Sequence, residues 1–76
     1  MKKHYITGKV VFQEIGSGFW GIVDDAGREW LPLNMPEQLK HVGQRVSVVA
    51  KAADVATVFM WGTPVQIIAF QTITPA

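Results

Sequence analysis

The sequence of 76 residues contains no cysteine, so it has neither a disulfide framework nor a thiolate that binds metal or attacks a substrate. The chain also lacks an excess of either charge. Seven Lys/Arg and six Asp/Glu leave a net charge of +1, which excludes a strongly basic or acidic domain. No apolar run approaches the ~20 residues of a membrane-spanning helix. Thr7, Gly8 and Lys9 interrupt the stretch that a signal peptide would need to be apolar. We therefore expect a soluble cytoplasmic protein that does not enter a membrane.

Side chains suited to catalysis or to metal binding are few. His4 and His41 are the two histidines, whereas a catalytic zinc ion needs three protein ligands. The adjacent carboxylates Asp24 and Asp25 fall in a predicted turn, where their exposure to solvent explains them without catalysis. We predict no enzyme activity, no catalytic residues, no cofactor and no metal.

Hydrophobic residues make up 49% of the chain and charged residues 17%, a balance typical of a folded globular domain. The length suits one domain covering residues 1–76. Alternation of apolar and polar residues predicts strands over residues 5–15, 19–23, 28–33, 45–53 and 65–73, with a loop or short strand at 54–60. Residues 24–27 predict a hairpin turn, and residues 34–43 a short helical segment that Asn34 could cap.

Five or six short strands in so small a chain predict an all-β fold, namely a small OB-like barrel with one short helical segment between strands 3 and 4, because closure leaves no strand edge unpaired. The side chains expected inside the barrel are Val10, Ile22, Leu31, Val46, Val48 and Ile67. Phe19 and Trp20 are neighbours in one strand, so both cannot face the core. One of them is expected to be exposed or to join a second hydrophobic cluster.

The order of these elements is that of the OB-fold, and four segments resemble the cold-shock domain. They are Gly8-Lys9-Val10-Val11-Phe12, Ser17-Gly18-Phe19-Trp20-Gly21-Ile22, Trp30-Leu31-Pro32 and Gly43-Gln44-Arg45-Val46-Ser47. The resemblance implies an OB-like barrel with aromatic side chains that stack on single-stranded nucleic acid, and Phe12, Phe19 and Trp30 stand at the positions of those aromatics. The segments 18–22, 34–36 and 60–65 also resemble small bacterial and archaeal proteins, a likeness that implies no activity.

The chain departs from the cold-shock pattern at four of its characteristic positions. Ser17 stands where the family has a lysine, and Pro32 where it has a histidine. Trp20 replaces the second glycine of the family's aromatic segment, and Gly21 replaces its second phenylalanine. Lys9, Arg28 and Lys51 are the cations that folding would have to bring to the aromatic face. The alternative function is single-stranded nucleic-acid binding through these three cations and the three aromatic residues Phe12, Phe19 and Trp30.

The glycine pattern of residues 16–21 matches the Gly-x-Gly-x-x-Gly sequence of dinucleotide-binding sites. A hairpin turn follows it, whereas such a site requires a helix, so we interpret these glycines as turn residues. Trp20, Trp30 and Trp61 at the barrel mouth define a third hypothesis, a small-ligand pocket.

The last third of the chain is nearly free of charge, because Asp54 is the single charged residue from Ala52 to Ala76. Val65, Ile67 and Ala69 alternate on one face of the last strand and are expected to point inward. Ile68 and Phe70 are expected to face outward and to form an apolar patch with Val58 and Met60. Such a patch is typical of a protein interface. Our first hypothesis for function is therefore a non-catalytic module for protein–protein interaction, including self-association into an oligomer.

Overall fold

The structure is a computed structural model that describes residues 3–53 and 61–73. The described elements are the strands β1 (Lys3–Gln13), β2 (Phe19–Asp24) and β3 (Glu29–Pro32), a 3₁₀ turn (Glu37–Leu39), and the strands β4 (Arg45–Ala52) and β5 (Thr63–Thr72). The strands form a closed barrel in the order β1-β2-β3-β5-β4. The predicted all-β class and the short helical segment between strands 3 and 4 are thus confirmed. Among the described residues, no helix is long and apolar enough to cross a membrane.

The first strand closes the barrel because it pairs with two neighbours. Its first half pairs antiparallel with β4 and its second half antiparallel with β2, while Gly8 and Lys9 pair with both. A Cβ at Gly8 would overlap the carbonyl oxygen of Val23 and crowd the backbone of Asp24. Glycine at this position therefore permits the close strand approach at which β1 passes from one neighbour to the other.

The barrel interior holds a cluster of buried apolar side chains. The cluster contains Ile6, Val10, Ile22, Trp30, Leu39, Val46, Val48, Ala50, Val65 and Ile67. Five of the six predicted core residues belong to it. Leu31 is buried as predicted but lies outside this cluster. The physical reason is the register, since Trp30 pairs with Ile22 and fills the inward position of β3.

A β-bulge changes the alternation in the last strand. Ala50 pairs with Ile67 and Val49 with Ala69, so Ile68 is an extra residue on β5. Ala69 therefore lies opposite half-buried Val49 and is exposed, and its predicted inward orientation is wrong.

The parallel pairing of β3 with β5 is completed by a side chain. The register ends at Pro32 opposite Val65, and the amide of Leu33 then donates a hydrogen bond of 2.9 Å to the Val65 carbonyl. Beyond it, the Asn34 side chain accepts from the Ile67 amide at 2.8 Å and donates to the Ile67 carbonyl at 3.0 Å. Asn34 thus replaces a main-chain strand partner, and it makes no capping hydrogen bond to the 3₁₀ turn.

Candidate binding surfaces

Trp30, predicted to lie on a stacking platform, is a core residue. It is 6% exposed, and its ring lies 5.1 Å from that of His4 between centroids. Its indole N–H donates a 2.9 Å hydrogen bond to Oδ2 of Asp24. The ring is therefore held on two sides and is not available for stacking on a ligand.

Phe19 lies on the opposite face of the sheet, in a second hydrophobic cluster. It is 8% exposed, and its ring centroid lies 5.5 Å from that of Trp61. Gly21 makes room for Trp61, because a Cβ on this glycine would overlap the indole ring. Continuing the β2–β3 register by one residue from Ile22 and Trp30 places Leu31 beside Gly21, so Leu31 is buried on this face as well. We call the surface formed by Phe19, Gly21, Leu31 and Trp61 the covered face.

Phe12 occupies a third environment. It pairs in register with Trp20, and the two rings meet edge to face with centroids 5.0 Å apart. Trp20 also packs against the barrel core, while Phe12 remains 39% exposed. The predicted separation of Phe19 from Trp20 is confirmed, since Trp20 packs on the core and Phe19 joins the second cluster.

The three rings Phe12, Phe19 and Trp30 therefore do not form the single exposed platform that the cold-shock resemblance implies. The three tryptophans do not line one pocket either, because Trp30 lies in the core, Trp20 packs on Phe12, and Trp61 lies on the covered face.

The predicted cations are also divided. Arg28 lies in the turn between β2 and β3, where its backbone N–H donates to Oδ1 of Asp24. Lys9 and Lys51 lie instead on β1 and β4, whose pairing also brings Lys3 directly opposite Lys51. Lys9 and Lys51 thus lie near opposite ends of the paired β1–β4 sheet, and Arg28 lies outside it.

That sheet has a solvent-facing side that we call the open face. Its members alternate with the buried residues of β1, β4 and β5, and they are Lys3, Tyr5, Thr7, Lys9, Arg45, Ser47, Val49, Lys51, Gln66, Ile68, Ala69 and Gln71. These three strands contain no aspartate or glutamate. The open face therefore concentrates positive charge in a chain whose net charge is only +1.

Tyr5 is the most exposed large hydrophobic side chain of the open face, with 79% of its surface accessible. It lies opposite Val49, which in turn lies opposite Ala69, so one row crosses three strands. Tyr5 begins the strand predicted over residues 5–15 and has no role in the sequence-based hypotheses. Its alternation with buried Ile6 is the signal that would have identified it.

Arg45 is the one cation of the open face with an ion pair among the described residues. Its guanidinium donates to both carboxylate oxygens of Asp25, at 3.1 Å and 3.0 Å. This hydrogen bonding lowers the pKa of Asp25 and raises the pKa of Arg45. Within residues 3–53 and 61–73, no carboxylate forms a salt bridge with Lys3, Lys9 or Lys51.

Asp24 organises the neighbouring turn. The indole N–H of Trp30 lowers the pKa of this carboxyl most, and the backbone N–H groups of Arg28 and Ala26 lower it further. Each donor lies within 2.9 Å of a carboxylate oxygen. Both aspartates therefore have structural partners, which fits their interpretation as turn residues.

The apolar patch predicted for the C-terminal third is described in part. Ile68 is 50% exposed and Phe70 is 40% exposed, while Val58 and Met60 lie outside the described residues. Because of the bulge, Phe70 pairs with buried Val48 and lies on the other face of β5 from Ile68 and Ala69, so the prediction that Ile68 and Phe70 share one face is wrong. Beside it, a shallow groove of about 150 Å³ is lined by Ser47, Val49, Ala69, Phe70 and Gln71. Exposed apolar surface therefore continues from β5 onto the open face.

No protein-family model, curated protein or solved structure matches the chain. The closed barrel of the five described strands is consistent with an OB-like barrel.

Proposed function

We propose that the chain is a non-catalytic binding module that contacts another protein chain through β5. The observation that carries this proposal is the exposure of Ile68 and Phe70 on a strand of ten residues without a single charge. Leaving a large apolar side chain in water forgoes up to about 1.5–3 kcal/mol of burial. A partner surface that covers both side chains recovers part of that free energy.

The continuity of the apolar surface supports the same proposal. Ala69 and Val49 extend it toward Tyr5, whose ring is large and rigid. Exposed aromatic and aliphatic side chains rimmed by polar groups are typical of protein contact sites. Gln66, Gln71, Thr7 and Ser47 supply such a rim.

Site-specific photo-crosslinking tests this proposal in cells. A photoreactive phenylalanine analogue at position 68 is expected to give a covalent adduct with a protein of defined mass, either this chain or another. The matched control is the same analogue at position 42, since Val42 is an exposed apolar residue that lies outside β5. Equal adduct yields at the two positions, or none at position 68, would contradict a contact through β5.

Single-stranded nucleic-acid binding is a second candidate, and the open face supports it. Lys3 and Lys51 are directly opposite each other, a like-charge pair that is unfavourable in a sheet until an anion lies between the ammonium groups. Tyr5 beside them offers a ring on which a base can stack, a contact worth ~1–3 kcal/mol. This candidate keeps Lys51 and Lys9 from the sequence-based prediction and replaces the three-ring platform with Tyr5.

Fluorescence anisotropy with a labelled single-stranded oligonucleotide of about ten bases tests the second candidate. Affinity is expected to fall as salt rises, because phosphate contacts release counterions. Tyr5→Ala and Lys51→Glu should each weaken binding about tenfold. Lys40→Glu is the control, since Lys40 lies off the open face and is paired with Glu37. Equal losses with all three variants would exclude the open face as the site.

A further inference from the structure

The main chain of β5 has an edge that no described strand pairs with over its last residues. β3 pairs with β5 only from Thr63 to Val65, whereas β4 pairs with it from Val65 to Thr72. The Asn34 side chain occupies the main-chain groups of Ile67 on the β3 side. Beyond Ile67, no strand of residues 3–53 or 61–73 pairs with this edge.

The hydrogen-bonding direction of each edge residue follows from its neighbours. Ile73 donates its amide to the Arg45 carbonyl, so residue 73 faces β4. Because direction alternates along an antiparallel strand, Gln71 also faces β4, while Phe70 and Thr72 face away from it. Each of these two residues therefore directs one N–H and one C=O toward the unpaired edge.

This edge also lacks the features that usually keep strand edges apart. Natural edge strands carry proline, or lysine and other charged residues, that prevent pairing with another chain. The stretch Phe70-Gln71-Thr72, which follows the bulge, has none of these. Its neutrality means that two copies can approach without like charges meeting.

We propose, building on the protein contact through β5 proposed above, that the partner is a second copy of this chain and that the two β5 edges pair antiparallel. A two-fold axis beside Gln71 sets Phe70 opposite Thr72 of the partner subunit, and Thr72 opposite the partner's Phe70. Such a pairing makes about four main-chain hydrogen bonds. It satisfies the free groups of both chains at once, because a two-fold contact presents the same surface twice.

This arrangement favours a second copy over a charged partner. β5 offers no charge for recognition, so a strongly acidic or basic segment gains no ion pair from it. A neutral strand of identical sequence matches it in charge and in edge pattern. The axis also places the two Gln71 side chains directly opposite each other, a neighbour relation that substitution can probe.

A charge-swap experiment on the full chain tests both the dimer and its register. Sedimentation equilibrium of the unmodified protein is expected to show a mass that rises from one chain to two with concentration. Gln71→Lys and Gln71→Glu should each weaken association about fivefold, because like charges meet at the axis. An equimolar mixture of the two variants should restore association through opposite charges.

Gln66→Lys and Gln66→Glu are the matched controls, since Gln66 is exposed on the same strand but far from the axis. They should leave association unchanged, alone and mixed. Thermal melts of the dilute variants verify that each folds as a monomer.

Two results would overturn the edge pairing. One is a monomer at every concentration up to about 1 mM, in which case an adduct at position 68 with another protein would still support the proposed function. The other is a dimer that Ile68→Glu with Phe70→Lys weakens but the Gln71 variants do not, which would assign the contact to the side chains alone.

Discussion

The two faces of this barrel differ in what lies upon them. On the covered face, Trp61 packs over Gly21 and beside buried Phe19. On the open face, Tyr5 and Ile68 project into solvent among lysines. The side that the cold-shock resemblance would use for a ligand is thus occupied by the chain itself. A shared strand order does not transfer a site, because the site depends on which face each chain leaves open.

A single position accounts for much of this difference. The cold-shock pattern has a phenylalanine where this chain has Gly21. Without a side chain there, a slot forms on the outer side of β2, and the indole of Trp61 fills it. Glycine at position 21 therefore removes one stacking residue. It also lets the Trp61 indole cover a second one, Phe19, which lies beside it.

The largest expected difference between the faces is in stability. Phe19→Ala should lower the free energy of unfolding by about 3–5 kcal/mol, because a buried ring leaves a cavity. Ile68→Ala should change it by no more than about 0.5 kcal/mol, since that side chain is half exposed in the monomer. Urea unfolding of dilute protein followed by circular dichroism measures both. Comparable losses would mean that the open face is covered in the isolated chain.

A smaller effect sharpens the account of the covered face. Gly21→Ala should destabilise the fold by about 1–3 kcal/mol, since the new methyl group must displace the Trp61 ring. In a Trp61→Ala background, the same substitution should cost less, because the obstructing ring is gone. The double-mutant cycle measures this coupling in urea unfolding. Additive losses would show that Trp61 does not lie over Gly21.

The smallest expected effect separates the core from the open face by pH and salt. Asp24 holds Trp30 of the core and Asp25 holds Arg45 of the open face, and both carboxyls have a pKa below the ordinary 3.8. Their stabilisation is therefore present above pH 3.8 and is lost as the pH falls through the lowered values. Asp24→Asn and Asp25→Asn should each flatten the decline in stability at acid pH.

Salt distinguishes the two aspartates. The Asp25–Arg45 pair is exposed, so its contribution should diminish in 1 M salt. The hydrogen bond from the neutral indole to Asp24 should persist. Acid titration of the melting temperature at low and high salt measures both, and identical salt responses of the two variants would refute the distinction.

The alternation of apolar and polar residues was sufficient to predict the barrel. Val10, Val46 and Val48 alternate in long regular strands, so their burial followed from period two alone. The turn at residues 24–27 was marked by its aspartates and by Gly27, whose φ is 86°. The five described strands and the place of the helical segment followed from these signals together, while the loop or short strand predicted at 54–60 lies outside the described residues.

Alternation alone does not predict the positions at which strand pairing determines whether a side chain faces the core or solvent. The inward place of Trp30 depends on its register with Ile22, and the exposure of Ala69 depends on a bulge opposite Val49. The open face is likewise invisible along the chain, because Lys3 and Lys51 become neighbours only through strand pairing. Nonlocal contacts of this kind have no local signal in the sequence.

The Asn34 amide that completes the β3–β5 pairing affects how the barrel opens locally. A main-chain hydrogen bond between two strands breaks only when the strands separate, whereas the hydrogen bonds of Asn34 to Ile67 break when one side chain rotates. Hydrogen exchange at the Ile67 amide should therefore proceed through local opening, well before global unfolding. We therefore expect the closed barrel to open first between the short strand β3 and β5, while β1 still joins β2 to β4.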